Sequence, residues 1–219
     1  PESTRNLSGT AMNRIKELFP NFMGGSADLA PSTKTYLNKV GDFSAENYRG
    51  RNLHYGVREQ AMTGIGNGIM LYGGLKTFVS TFFVFSDYVK PMARLSALMN
   101  LPLIYVLTHD SIGVGEDGPT HEPVEQLTML RAMPNFNVFR PCDAQETNAG
   151  WYLAMTSKTT PTALVLSRQN LPQIKGSSRE ALKGGYVIDE CEGTPEIIII
   201  ASGSEVTLAV EAKIGRASC

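Results

Sequence analysis

The sequence predicts an α/β protein: a doubly wound, mostly parallel sheet with helices on both faces, followed by the truncated start of a second α/β unit. Three observations carry that expectation. Short apolar runs alternate with longer stretches of helical periodicity, the mark of successive strand–helix units. The run IYVLT, inside the stretch LPLIYVLTHDSIGVGEDGPTHE that ends at Glu122, is apolar without alternation, as a strand buried on both faces is. From about Gln173 the texture changes: QIKGSSREALKGG reads as a linker, and GGYVIDE and PEIIIIASGSEVTLAVEAK read as the opening strands and helix of a new unit.

Residues 1–6 read as an extended lead-in, with Arg5 just before a helix over 7–19 that Pro20 ends. NFMGGSADLAPS is a short strand running into a polar turn that holds Asp28 and Ser32. Residues 34–52 hold few aliphatics and form a long surface loop, a feature usually functional or mobile inside a compact domain. NLHYGVREQAMTGIGNGIMLYGG is a brief strand turning into a helix. Its glycines at 64, 66 and 68 cost helix propensity but let another backbone or a ligand come close. Residues 76–81 predict a strand, and FFVFSDYVKPMARLSALMN a helix with Pro91 as its kink or start. After the central strand, 124–133 predicts a helix, NFNVFRP a strand, 144–155 a helix, and TALVLSR a strand ending at Arg168. The division is therefore 1–172 for the main unit and 173–219 for the linker and the start of the next. Too little chain follows to complete that second unit, so the sequence reads as a fragment cut within a following domain. The closing IGRASC does not continue the helical pattern and reads as foreign to it.

Composition excludes several classes. With 219 residues the chain can bury one ample core, or one domain and part of another. A net charge of −1 comes with no basic stripe for nucleic acid and no acidic tail. No apolar run reaches membrane-spanning length, and no signal-peptide pattern opens the chain. Cys142, Cys191 and Cys219 are few and far apart, which fits a reducing cytoplasm and argues against a disulfide framework or zinc cluster.

The loop after the central strand is the best functional pointer. It carries Asp110, Glu116, Asp117 and Glu122 between His109 and His121, and loops leaving the carboxyl ends of strands build the ligand site of an open α/β sheet. Its GVGEDG spells the dinucleotide fingerprint, but four residues separate the strand from the first glycine and Pro119 follows the last, so a nicotinamide site is rejected. Glu59, in GVREQAM, stands at a helix start. It is either an ordinary first-turn carboxylate or, among apolar and glycine neighbours, a buried carboxyl able to share a proton with a ligand's ring nitrogen. Phe82, Phe83, Phe85 and Tyr88 form an aromatic cluster that is either core or a wall for a flat heterocycle. Arg5, Ser32, His109 and Arg168 each sit at the edge of a predicted element, and on one rim they would suit a phosphate.

At GGSADLAPS, HYGVREQAM, ARLSAL, THDSIGVGEDGPTHEP, NVFRP and LSRQNLP the chain resembles the transketolase family, specifically its central pyrimidine-binding domain, from about Thr4 to about Lys213. The resemblance implies a thiamine-diphosphate-binding fold of the pyrimidine type. It also implies transfer of a two-carbon ketol unit between sugar phosphates in the pentose phosphate pathway, in a cytoplasmic homodimer with its site at the subunit interface. It assigns Glu59 to the pyrimidine ring nitrogen, Phe82, Phe85 and Tyr88 to packing around that ring, and Asp28 to the cofactor's side. Asp117 would read a substrate hydroxyl, and His121 would lie by the cofactor's amino group, acting with Glu59 in catalysis. Arg5, Ser32, His109, His121 and Arg168 would face the substrate, its phosphate above all. The family's G-D-G motif, followed about thirty residues later by Asn, is absent. By this resemblance the diphosphate and its Mg²⁺ or Ca²⁺ belong to a missing N-terminal domain, and this stretch alone would be inactive. Related thiamine enzymes and a non-catalytic dimerisation module are the rival expectations.

Overall fold

A computed structural model describes residues 1–114 and 117–217, with side chains through residue 213. Gly115 and Glu116 of the glycine-rich loop, and Ser218 and Cys219 at the end, lie outside the described residues. The chain runs α1 (Thr4–Leu18), β1 (Phe22–Ser26), α2 (Ala30–Thr33), β2 (Asn52–His54), α3 (Glu59–Tyr72), β3 (Lys76–Phe82), α4 (Ser86–Leu98) and β4 (Ile104–Thr108). It continues with α5 (Gln126–Arg131), β5 (Asn137–Phe139), α6 (Ala144–Thr156), β6 (Thr162–Leu166) and α7 (Glu205–Ala217), with short 3-10 turns at Phe83–Phe85, Pro119–His121 and Arg179–Lys183.

The six strands form one sheet in the order β2-β1-β3-β4-β6-β5, and every pairing is parallel. All strands therefore end on one rim, and the chain reverses its winding direction between β1 and β3. Strand pleating sorts the core into two layers. Val79, Tyr105, Leu107, Ala163 and Val165 face α3 and α4 with Met62, Val89 and Ala93. Phe78, Ile104, Val106, Leu164 and Leu166 face α1 and α6 with Met12 and Trp151. Trp151 satisfies its indole by donating to Ser8 Oγ at 3.0 Å, which ties α6 to α1. At Gly25 a Cβ would stand 1.7 Å from the Leu53 carbonyl oxygen, so only glycine lets β2 lie against β1 here.

Several elements differ in extent from their sequence patterns. The first helix begins at Thr4, because the Ser3 carbonyl already accepts from the Asn6 and Leu7 amides, so Arg5 lies in its first turn rather than before it. Pro91 falls inside α4, five residues past its start, and the helix continues beyond it. The predicted helix over 124–133 is confined to Gln126–Arg131, since Gln126 turns its side chain back onto the Val124 amide at 2.8 Å and occupies the entry turn. The long loop is anchored by Asn52, whose amide bonds the Leu37 amide and carbonyl at 2.8 and 2.9 Å.

Past β6, the expected opening strands are not strands among the described residues. Ile197, Ile198, Ile199 and Ile200 are exposed, since a strand requires a hydrogen-bonded neighbour and none stands beside them among the described residues. The helix α7 runs through Ala217, so the IGRA of the closing segment does continue it. Ile, Arg and Ala are ordinary helix formers, and one glycine costs only about 1 kcal/mol. Ile174 and Val206 bury themselves against Cys142, with Ile188 and Val210 beside them, and so seat this terminal segment on the main unit. Among the described residues no helix is long and apolar enough to cross a membrane.

Candidate functional site

The rim formed by the carboxyl ends of the strands gathers most of the residues singled out above. Glu59 opens α3 and is buried, and its Oε1 accepts a hydrogen bond from Thr81 Oγ1 at 3.2 Å. Its Oε2 has no hydrogen bond among the described residues. The carboxyl borders an open groove of about 610 Å³ whose walls include Gly64, Tyr88 and Met92. Thr81 is the penultimate residue of β3, so the next residue, Phe82, points to the opposite face and continues the rim.

Phe82 and Phe85 lie nearly parallel, 8° apart with centroids 6.1 Å apart. The His121 ring stands edge-on to both, 6.0 Å from Phe82 and 5.3 Å from Phe85. Tyr88 follows at 6.2 Å from Phe85 and leaves 61 % of its surface exposed. Phe82 is itself buried and Phe83 turns into the core, while Phe85 is half-buried and Tyr88 exposed.

On the far side of Phe82 the rim becomes basic. His109 packs on that ring with centroids 3.9 Å apart. It holds a left-handed backbone at φ 64° immediately after β4, which throws the chain out of the sheet plane. Arg5 Nη1 lies 3.3 Å from His109 Nε2 and donates to the Ser32 carbonyl at 2.8 Å. It is the carbonyl of Ser32, rather than its hydroxyl, that the structure joins to Arg5. Arg168 reaches the same rim through a backbone cross-tie. Thr4 N donates to Ser167 Oγ at 3.0 Å and Ser167 N donates to Thr4 Oγ1 at 2.7 Å, so the residues that follow each of them stand side by side.

These groups act on one another's charge. Burial first, then Arg168, draws the Arg5 guanidinium below its ordinary range, while Asp117 opposes the shift. Burial first, then Arg5, pushes the His109 imidazole down to about 4, with Asp117 opposing and Arg168 and His121 adding. His109 is therefore neutral near pH 7. An arginine can only donate, so Nε2 accepts from Arg5 and the ring proton belongs on Nδ1, 2.8 Å from Thr108 Oγ1. Arg5 Nε is buried with no partner among the described residues. Asp28, also left-handed at φ 61°, is exposed at the turn after β1, and Asp117 is exposed on the loop.

Two participants, Thr81 and Arg140, escaped the sequence pattern, and so did the partner of Asp110. Thr81 reads as an ordinary strand residue, and its bond to Glu59 spans two elements. Asp110 and Arg140 pair at 2.7 Å across thirty residues of chain. No spacing rule announces either contact. Among the described residues no group of three or more His, Cys, Asp or Glu side chains could hold a metal ion.

The family model for the transketolase pyrimidine-binding domain matches residues 2–173, and that for the transketolase-like C-terminal domain matches residues 184–215. The transketolase of Halalkalibacterium halodurans is 56 % identical over 215 residues, covering 96 % of this chain and 32 % of that protein. The Bacillus subtilis transketolase is 56 % identical over 216 residues, with the same coverage. The solved Pichia stipitis transketolase in complex with sedoheptulose-7-phosphate superposes with a TM-score of 0.95 at 47 % identity, over 99 % of this chain and 33 % of that one. The chain thus spans about a third of the length of the relatives it matches.

Proposed function

Because the chain belongs to the transketolase family, through that family's pyrimidine-binding domain, we propose that its rim forms the pyrimidine side of a thiamine diphosphate site together with the clamp for a sugar phosphate. One observation carries the reading: the ends of β3 and β4 bring a buried carboxyl, parallel aromatic rings and a cationic edge to one rim. Glu59 touches Thr81, Phe82 packs on His109, and His109 meets Arg5.

The donor set fits the absent group. A flat aminopyrimidine needs an acid at a ring nitrogen and aromatic faces beside it. Glu59 Oε2 and the Phe82, Phe85 and Tyr88 rings supply these. When bound, thiamine diphosphate supplies a carbon acid and an electron sink for moving a two-carbon unit. Glu59 binds and orients the pyrimidine by holding a shared proton at Oε2, and Thr81 fixes the carboxyl by occupying Oε1. Phe82 and Phe85 exclude water from that proton, which strengthens its hydrogen bond. Asp28 lines the cofactor's side, His121 stands by its amino group, and Asp117 reads a substrate hydroxyl. Arg5, His109, Arg168 and the Ser32 turn hold the substrate phosphate, the guanidinium forks giving it a fixed orientation.

The intact parent, in this reading, is a cytoplasmic transferase of ketol groups from a ketose phosphate to an aldose phosphate. Residues 1–172 form the pyrimidine-binding domain, and 173–219 the linker and start of the C-terminal domain. Diphosphate and Mg²⁺ or Ca²⁺ belong to an N-terminal domain of the partner in a homodimer, so the 219-residue chain has no activity alone. Alone it also binds the cofactor weakly if at all: calorimetric titration of this chain with thiamine diphosphate and Mg²⁺ tests this, and micromolar affinity would refute it. In the full-length enzyme Glu59→Ala is expected to cut turnover by orders of magnitude while the dimer persists. Unchanged turnover would remove Glu59 from its role.

A further inference from the structure

The turn that carries His109 is fixed from behind by a buried ion pair that the proposed chemistry does not use. Asp110 follows His109, its amide donates to the Leu166 carbonyl at 3.2 Å, and its side chain is only 1 % exposed. Asp110 Oδ2 accepts from Arg140 Nε at 2.7 Å, while Oδ1 is buried without a partner among the described residues. Arg140 stands just past β5 at the sheet edge and is 8 % exposed. Its other two nitrogens reach a different part of the chain. Nη1 donates to the Ser202 carbonyl at 2.8 Å and to the Glu205 carboxylate, and Nη2 donates to Ser204 Oγ at 3.2 Å. Gly203 lies flat against the guanidinium: a Cβ there would stand 2.8 Å from Arg140 Nε. One planar fork therefore spans the gap between the substrate rim and the first turn of α7.

We propose that Arg140 is a positioning residue for the phosphate clamp: through Asp110 it sets the turn that presents His109, and through Ser202 and Glu205 it makes that setting depend on the C-terminal segment. The inference rests on reading the rim as a phosphate clamp. A buried carboxylate with one strong partner cannot relocate without losing that partner, so the turn follows Arg140. Arg140 in turn is held at the α7 entry by Ser202, Ser204 and Glu205, and Glu205 and Asp110 at its two ends outweigh the burial that works against its charge and keep the guanidinium above its ordinary range. The C-terminal segment thereby acts on substrate affinity without touching substrate.

Variants of this chain and of the full-length enzyme test this. In the 219-residue chain, Arg140→Gln is expected to speed hydrogen exchange of the Asp110 amide at least tenfold and to move the His109 ring proton resonances. Unchanged exchange and resonances would overturn the proposal whatever the rim binds. In the full-length enzyme, Arg140→Lys keeps the charge but loses the fork. It is expected to raise KM for a phosphorylated ketose about tenfold, with kcat within twofold and KM for an unphosphorylated donor unchanged. The double variant Asp110→Asn, Arg140→Gln leaves no buried charge unpaired. It is expected to recover thermal stability while keeping the KM defect, and recovery of both would reduce the pair to structural glue and overturn the proposal. His109→Ala is the control. A raised KM in it with none in the Arg140 variants refutes the positioning role alone, whereas no change in any of them refutes the clamp and the positioning role together.

Discussion

Acidification should weaken this chain through His109 in a way that can be isolated. The imidazole is held down to about 4, by burial first and by Arg5 next, and the residue is only 3 % exposed. In the unfolded chain the same group titrates near 6.5. Between these values the unfolded chain binds a proton that the folded chain refuses. The contribution of His109 is thus fully present above about pH 6.5 and is lost as pH falls toward 4. At about 1.36 kcal/mol per pH unit the displacement caps the loss at roughly 3 kcal/mol. Solvent relaxation around the rim brings the expected value nearer to about 2 kcal/mol. The perturbation is His109→Gln, which keeps a polar side chain and cannot titrate. Urea unfolding of both proteins at several pH values from about 7 to about 4.5 gives the difference in stability, from which the other titrating groups cancel. The native protein should lose ground to the variant as pH falls. A pH-independent difference, together with a His109 ring resonance titrating near 6.5, would show that the burial and the Arg5 contact do not act as described.

Two further outcomes are expected. In α3, Gly66→Ala would bring a Cβ to 3.0 Å from Val79 and 3.1 Å from Leu103, whereas Gly68→Ala meets nothing. Thermal denaturation should show the first costing about 1–3 kcal/mol by overpacking and the second gaining about 0.5–1 kcal/mol of helix propensity. Cys142 is buried, and burial first, then Glu146 and Asp143, pushes its thiol far up, while Cys191 is exposed. Mass spectrometry after brief iodoacetamide treatment of the folded chain should find Cys191 alkylated and Cys142 intact. Equal labelling of the two would mean that the seam over Cys142 opens readily.

Much of the fold was legible because parallel strands announce themselves. IYVLT and TALVL are apolar without alternation, and both proved buried along their whole length. The order of strands was not legible, since nothing local in TALVL says that it inserts between β4 and β5. IIII at 197–200 has the composition of a core strand, yet composition supplies no neighbour to pair with. Of the site, Glu59, the aromatic cluster and the paired histidines could be picked out as chemically unusual in their surroundings. Arg5 and Arg168 could only be assumed to meet, because the Thr4–Ser167 cross-tie that brings them together spans most of the chain. Arg140 looked like any arginine after a strand, and its part emerges only from contacts at both ends of its guanidinium.

The left-handed backbones at Asp28 and His109 carry an implication for anyone engineering this chain. Each conformation costs a side-chain-bearing residue on the order of 1 kcal/mol, which glycine would not incur. A library sorted only for survival at high temperature should therefore drift toward glycine at both positions. Each such winner would be a sturdier protein whose proposed ligand-facing edge had been quietly erased.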